Sequence, residues 1–297
     1  MKSLMNHPNR DKQKDQCIAC ILVGYSLRDT IYSLGAINLL AEILGFEHKI
    51  LVWNKGELPE DIDKLSRNDW QVHLGSNVNH EFSGWQEGLA ILPNRPSKYD
   101  YVVFVNDSLS RFSSDTRKSH LLSSLAKSIK SRSKPAAVGL IHYPCDKSEY
   151  LELQSTQISS WLCTGCFALP GEYIKKINGK IDHSSATELL ISRSGKSLVN
   201  DTCPISTKLH IHKWLTDNEN GWHAALPQPH SEQDLAILRD KAKMILNEFT
   251  LSAKLAQSGC LLHDPTDSKK WSKNKLHTLL LDLNSYFRKV CLSRVNP

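Results

Sequence analysis

The run Tyr99-Asp-Tyr-Val-Val-Phe-Val-Asn106-Asp107-Ser108 ends an apolar stretch abruptly on a carboxylate. A carboxylate at the mouth of a buried strand can hold Mg²⁺ or Mn²⁺ through hard oxygen ligands, with substrate phosphates completing the shell. A metal so placed offsets the charge that develops on a leaving nucleoside diphosphate. The competing reading is that Asp107 caps the next turn. Other side chains could also ligate. His210-Ile-His212 alternates as a strand would, which predicts both rings on one face, and His223 in Gly221-Trp222-His223 is a second candidate. A structural or surface histidine is the competing reading for each. Cys17–Cys20 and Cys163–Cys166 have CxxC spacing, and zinc would need both pairs to converge. Cys17-Ile-Ala-Cys20 lies in a strand-like run where positions i and i+3 face opposite sides, so reduced thiols of a cytosolic protein are expected. Trp161, Trp214 and Trp222 offer flat surfaces for sugar rings, or else core packing.

The elements that must position these groups are readable from periodicity. Cys17 to Gly24 is a continuous apolar run, as in a buried parallel strand, and ends at Tyr25-Ser26. Asp29 or Thr30 can cap a following helix, with Ile31, Leu34, Ile37, Leu40, Ala41 and Leu44 at helical spacing and Gly45 as its stop. Strands follow at Lys49–Trp53, ending on Asn54, and at Gln71–Leu74, ending near Asn77 and Asn79. The spacing predicts a helix over Phe82–Leu92, a strand over Tyr101–Val105, a helix over Ser119–Lys130 and a strand over Ala136–Ile141. Ser160–Leu169 reads as extended, Ala186–Ser194 as helical with Gly195 as its stop, and Glu232–Leu255 and Asn274–Ser293 as further helices. This alternation predicts an α/β fold: a mostly parallel sheet flanked by helices, with a helical C-terminal extension. Ligands of such sheets bind outside the carboxyl ends of the strands, where Tyr25, Ser26, Asn54, Asn79 and Asn106-Asp107-Ser108 all fall. The expected division is a polar tail over 1–16, a catalytic domain over 17–230 and the extension over 231–297.

Composition narrows the class. The chain has 297 residues, 40% apolar and 23% charged, an ordinary globular mix. Its formal net charge of +6 is the charge of Ser268–Pro297 alone, where seven Lys/Arg face one acid. The remainder is neutral overall, which argues against a nucleic-acid binder. Within that tail, Leu276, Leu279, Leu280, Leu283, Phe287, Val290 and Cys291 follow helical spacing with Lys and Arg on the flanks. An amphipathic helix of this kind can dock on an anionic inner-leaflet surface or pack on the catalytic domain. Met1–Gln16 is polar and lacks an apolar signal core, so a cleaved secretion signal is not expected.

The run Asn79-His-Glu-Phe82-Ser-Gly84-Trp85-Gln86-Glu87-Gly88-Leu89, followed by Tyr99-Asp-Tyr and Asn106-Asp107-Ser108, resembles GT-A glycosyltransferases of the family 2 type. It is most similar to the rhamnan-synthesis F-type branch, in which a GWxxGL-like helix precedes a strand ending in Asn-Asp-Ser. Val52-Trp53-Asn54 resembles the strand whose end faces the nucleotide base. Leu153-Gln154-Ser155 to Leu169 resembles the branch's substrate-side strand, and Glu188-Leu-Leu-Ile-Ser192 its Glu-containing helix. The resemblance spans roughly Cys17 to Asn200 and implies sugar transfer from a nucleotide sugar to an acceptor hydroxyl, with inversion, assisted by Mn²⁺ or Mg²⁺. It implies Tyr25, Ser26, Asn54, Asn79, Gly84, Gln86, Asn106 and Ser108 around the donor. Trp161 and Thr164 would lie on the acceptor side. Asp107 would sit at the metal, joined by His212 or His223. Glu188 would be the base, with Asp146 and Asp182 as competitors. The acceptor would be a glycan or lipid-linked glycan at the cytoplasmic side of a membrane.

The chain also departs from that pattern. Ser108 stands where many family 2 enzymes place an acid, and Asn54 stands where Asp is usual. These departures motivate a second expectation, a degenerate GT-A domain that binds a nucleotide sugar or a partner without turnover. A third is an unrelated Rossmann-like enzyme such as a methyltransferase; no G-x-G-x-x-G follows the first strand, which argues against dinucleotide binding.

Overall fold

The computed structural model describes residues 16–65, 70–111, 115–131, 135–144, 150–153, 155–193, 195, 197–216 and 231–266. The first half of the chain contributes β1 (Ile18–Gly24), α1 (Leu27–Leu44), β2 (Phe46–Trp53), α2 (Glu60–Leu65), β3 (Gln71–Leu74), α3 (His80–Ile91), β4 (Tyr101–Asn106) and α4 (Asp115–Ser131). The second half contributes β5 (Ala136–His142), β6 (Leu151–Leu153), β7 (Thr156–Ile158), β8 (Trp161–Pro170), α5 (Gly171–Lys176), α6 (Ser184–Thr187), α7 (Ile205–Thr216), α8 (Glu232–Gln257) and β9 (Leu261–His263).

Seven strands make one sheet in the order β3-β2-β1-β4-β8-β5-β9. β3, β2, β1 and β4 run parallel, and β9 runs parallel to β5. β8 is antiparallel to both of its neighbours. The α/β class with a mostly parallel sheet and a helical C-terminal region is therefore what the periodicity predicted. Every residue of β1 is buried, which is why it reads as an unbroken apolar run. One face of the sheet packs on α1 and α4 through Leu22, Val103, Leu34, Ile37, Leu122 and Leu125. The other packs on α3, α5 and α8 through Ile21, Val23, Phe82, Trp85, Phe104, Phe167 and Leu251. A smaller core joins the β6–β7 hairpin to α7 and α8. The segment after residue 230 thus supplies α8 and a sheet strand, β9.

Strand registers decide which residues meet at the carboxyl edge. Gly24 pairs with Trp53 and Val23 with Asn106, so Tyr25, Asn54 and Asp107 leave the sheet side by side. Val105 pairs with Cys166 in the antiparallel sense, so β8 enters at this same edge and carries Cys163 and Thr164 there. The glycines of the Phe82–Leu89 run explain how close α3 comes. A Cβ on Gly88 would lie 2.4 Å from Ile21 Cγ2, and one on Gly84 would lie 2.8 Å from Val23 Cγ2. Both therefore face β1.

Several local expectations are corrected. The cap of α1 is Ser26, whose Oγ accepts from the Asp29 N–H at 3.5 Å, rather than Asp29 or Thr30. Gly45 does end α1, in the left-handed region with φ 68°, its N–H donating to Ala41 O. His210-Ile-His212 is helical, within α7. Thr207, His210, Ile211 and Leu215 are buried at helical spacing, so the true period is 3.6 and the two rings diverge. The Ala186–Ser194 helix is a short α6 plus a 3₁₀ turn over Glu188–Leu190. The chain then folds back, with Ile191 bridged to Val199 and Asn200 N–H donating to Leu190 O. His223, Trp222, Asp146 and the basic helix expected at Asn274–Ser293 lie outside the described residues. Among the described residues, no helix is long and apolar enough to cross a membrane.

Candidate active site

Asp107 opens a 3₁₀ turn, Asp107–Arg111, directly after β4. Its side chain points into the fold, leaving the residue 4% exposed. Oδ2 accepts hydrogen bonds from Tyr25 N at 2.7 Å and Ser26 N at 2.9 Å, with Thr30 Oγ1 at 3.5 Å. Its carbonyl accepts from Ser33 Oγ at 3.2 Å. Burial pushes this carboxyl above its usual range, and the two N–H donors partly offset that. Asp107 thus ties the end of β4 to the turn that starts α1. Asn106 Oδ1 accepts from Ser108 N at 2.6 Å, which shapes the same turn. Arg111 grips Asp29 through Nε at 3.1 Å and Nη2 at 2.8 Å, with Ser110 Oγ on the other carboxylate oxygen at 2.8 Å.

Tyr25 follows β1 and is half-buried. Its hydroxyl accepts from Asn54 Nδ2 at 3.1 Å. Burial, then the charge of Glu81, push its pKa up, so the phenol stays protonated. Asn54 has no exposed surface. Nδ2 also donates to His80 O at 2.7 Å, and Oδ1 accepts from Asn77 N at 3.2 Å. Asn54 therefore works through Tyr25 and cannot itself touch a donor, which corrects the expectation from the resemblance. Gly84 is corrected for the reason given by its packing on Val23. Gln86 is spent on the chain after α5: Nε2 donates to Gly179 O at 2.9 Å, and Oε1 accepts from Ile181 N at 2.8 Å and Asp182 N at 3.3 Å. Asn79 is 1% exposed and its Nδ2 donates to Asp182 Oδ1 at 2.7 Å.

Two acids that the sequence reading passed over complete this edge. Glu81, in the first turn of α3, is 5% exposed, and its field reaches Tyr25, Glu248 and Cys163. Burial pushes its carboxyl up, against the pull of its own backbone N–H and the His80 and Lys241 charges. Glu248, on α8, accepts a short hydrogen bond from Thr164 Oγ1. Burial, reinforced by Glu81, raises the Glu248 carboxyl to about 8 against the donation from Thr164. The signal for Glu81 was its place inside the Asn79–Leu89 run. The signal for Glu248 was a carboxylate amid the apolar stretch Leu246–Leu255, whose helix is buried on nearly every side.

The remaining candidates separate from this cluster. Trp161 is 1% exposed, boxed by His142, His210, Trp214 and Phe249, so it is core rather than a sugar platform. Its neighbour His210 is buried, which lowers its pKa to about 4. His212 is exposed and engages Thr216 Oγ1 at 3.0 Å. Glu188 is half-exposed and pairs with Lys243 at 2.6 Å. Thr164 lies on the Glu248 side of the edge, hydrogen-bonded as above.

The donor set does not fit the expected Mn²⁺ or Mg²⁺. Among the described residues, no three His, Cys, Asp or Glu side chains come together as ligands. Asp107 Oδ2 is committed to two backbone N–H groups, and His212 is turned to Thr216. Among the described residues, the cysteines likewise form no zinc site. All the described ones are free, and burial raises Cys20, Cys163 and Cys166 well above a reactive range.

No family model matches the chain, and no curated protein matches it. Loosely similar solved structures include 4-diphosphocytidyl-2C-methyl-D-erythritol synthase from Anaerococcus prevotii, with a TM-score of 0.38 and 12% identity over 92% of this chain and 97% of that one. Mannosyl-3-phosphoglycerate synthase from Rubrobacter xylanophilus has a TM-score of 0.37 and 13% identity over 88% and 79%. A mannosyltransferase from Pyrobaculum calidifontis in complex with GDP-Man and Mn²⁺ has a TM-score of 0.35 and 10% identity over 96% and 88%. Likenesses at this level carry no functional argument, which rests on the site.

Proposed function

We propose that the chain is a GT-A-type glycosyltransferase that moves a sugar from a nucleotide-sugar donor to an acceptor hydroxyl with inversion. The observation that carries this reading is the buried Asp107 carboxyl, 4% exposed at the carboxyl edge of the parallel strands and bonded to the Tyr25–Ser26 turn. This is the edge where open α/β sheets take ligands. Tyr25, Ser26, Asn106 and Ser108 retain surface there for the donor. Lys241 of α8, whose charge reaches Glu81 at this edge, would supply positive field for the departing diphosphate. A single displacement by the acceptor oxygen inverts the anomeric centre. Its proton passes to a carboxylate on the α6 side, where Asp182 and Glu188 stand.

A second reading is favoured by one observation: Asn54 and Gln86 are consumed by internal hydrogen bonds, and Asn79 Nδ2 is held by Asp182. On that reading the domain binds a nucleotide sugar without turnover. The acceptor as a membrane-linked glycan, a cytoplasmic location and the division at residues 16 and 230 belong to the same proposal, supported by the basic segment Lys269–Pro297.

A thermal-shift panel of nucleotide sugars and nucleoside diphosphates, with and without Mn²⁺, tests the proposal, because a ligand at 100 times its Kd adds ~2.7 kcal/mol of stability. We expect one donor class to raise the melting point and to be turned over. Asp107→Asn should weaken that shift. A panel in which nothing binds overturns the proposal, and binding without hydrolysis or transfer on any acceptor establishes the second reading.

A further inference from the structure

Asp182 sits between α5 and α6 in a segment held from three directions. Gln86 of α3 fixes the backbone on either side of it, by donating to Gly179 O at 2.9 Å and accepting from Ile181 N at 2.8 Å and Asp182 N at 3.3 Å. The Oδ1 atom of Asp182 then accepts from Asn79 Nδ2 at 2.7 Å, Ser184 N at 2.7 Å and Asn247 Nδ2 at 3.3 Å. Asn247 has no exposed surface and its own Oδ1 accepts from His183 N at 2.8 Å, so that donor cannot swing away. Of these bonds only the one from Ser184 N belongs to the start of the four-residue α6. Two buried asparagine amides and a glutamine from other helices are additional to it.

The two atoms left over point to a ligand. Among the described residues, Asp182 Oδ2 has no hydrogen-bond partner, and the residue keeps surface. Asn79 Oδ1, on the other arm of the amide that grips Asp182, is buried with no partner. A buried acceptor left without a donor is destabilising unless a ligand supplies one. Both oxygens are acceptors, and a carbohydrate hydroxyl, which can donate as well as accept, supplies the donor that Asp182 Oδ2 lacks. Glu188 differs: its side chain is 52% exposed and turned to Lys243.

We propose that Asp182, rather than Glu188, takes the proton from the acceptor hydroxyl, with Asn79, Asn247 and Gln86 as positioning residues. This rests on the glycosyl-transfer reading above. In the step, the acceptor O–H proton moves to Asp182 Oδ2 and the oxygen's electron pair bonds to the anomeric carbon. The bond from that carbon to the diphosphate breaks, and its electron pair leaves with the nucleoside diphosphate. Asp182 then returns its proton to water.

The test compares wild type, Asp182→Asn and Asp182→Glu in two assays: thermal shift with the donor found in the panel, and transfer rate against pH. Asp182→Asn should keep the donor-induced shift and lose roughly 10²–10⁴-fold in kcat, the range for a removed general base. Asp182→Glu, which keeps a carboxylate out of register, should fall between the two with donor binding unchanged. Gln86→Ala should lower kcat with little change in the donor KM. Transfer at wild-type rate with an unaltered pH profile in Asp182→Asn and Asp182→Glu overturns the assignment while leaving the transferase standing. If Asp182→Asn does not fold, the result with Asp182→Glu decides in the same way. A wild type with no donor binding and no transfer overturns the underlying reading, and this inference with it.

Discussion

Replacing Glu248 by Gln should stabilise the protein and flatten its response to pH. The Glu248 carboxyl ordinarily titrates near 4.5, but burial beside Glu81 raises it to about 8. The folded state therefore binds this proton more tightly than the unfolded chain does. Stability is greatest at low pH and is lost as pH climbs from about 4.5 toward about 8. At ~1.36 kcal/mol per tenfold, the loss between about pH 5 and pH 7 has a ceiling on the order of 3 kcal/mol. Water reaching the half-buried side chain lowers this to roughly 1–3 kcal/mol. Gln has the same shape, can still accept from Thr164 Oγ1, and never ionises. Melting temperature measured from pH 5 to 9 reads the difference: at about 2–4 °C per kcal/mol, the variant should melt roughly 2–12 °C higher at pH 7 and match wild type near pH 5. A residual slope in the variant belongs to Glu81, whose carboxyl burial also raises. Parallel curves for the two proteins, or a variant that melts lower at pH 8, would refute the claim that this carboxyl is buried against its will.

Gly88→Ala should destabilise the fold by roughly 1–3 kcal/mol, the usual penalty of overpacking, because its Cβ would lie 2.4 Å from Ile21 Cγ2. Urea unfolding checks it, and a loss under about 0.5 kcal/mol would mean that α3 does not press on β1 as described. The basic segment Lys269–Pro297 should carry any attraction to anionic lipid. Sedimentation with phosphatidylserine vesicles should fall on deleting it and with added salt, and an unchanged pellet removes membrane docking from the proposal.

The carboxyl edge was legible because parallel strands buried on both faces announce themselves. β1 and β4 are unbroken apolar runs, and each ends on the polar residues that the register then brings together, Tyr25 and Asp107. The sense of β8 was not legible, since an apolar run of ten residues carries no mark of its direction. The alternation of His210 and His212 misled for a related reason: two residues cannot separate a period of 2 from 3.6, and the wider set of Thr207, Ile211 and Leu215 was needed. Gly84 and Gln86 of the Gly-Trp-x-x-Gly run are expected around the donor, yet the run's glycines admit β1, its tryptophan donates to Val105 O at 3.0 Å and Gln86 is bonded to Gly179 and Ile181.

The polar residues raise a harder distinction, and it bears on function. Asn54 follows β2 and Asp182 lies between α5 and α6, and sequence alone cannot show which of their side-chain atoms are already bonded. Their partners separate them. Asn54 meets a carbonyl of His80, an N–H of Asn77 and the Tyr25 hydroxyl, which accounts for both arms of its amide and leaves no surface. An Asp there could donate to neither His80 O nor Tyr25, and it would bury a charge without a counterion. That is a structural reason for Asn at this position, independent of any ligand. Asp182 has the opposite economy: every donor that reaches it converges on Oδ1, and Oδ2 is left to face whatever enters. A carboxylate held by one oxygen and open at the other is oriented for proton transfer, whereas an amide satisfied at both ends is scaffold. Asn at position 54 therefore does not by itself argue for lost activity, because the proposed general base is Asp182, where the acid is present.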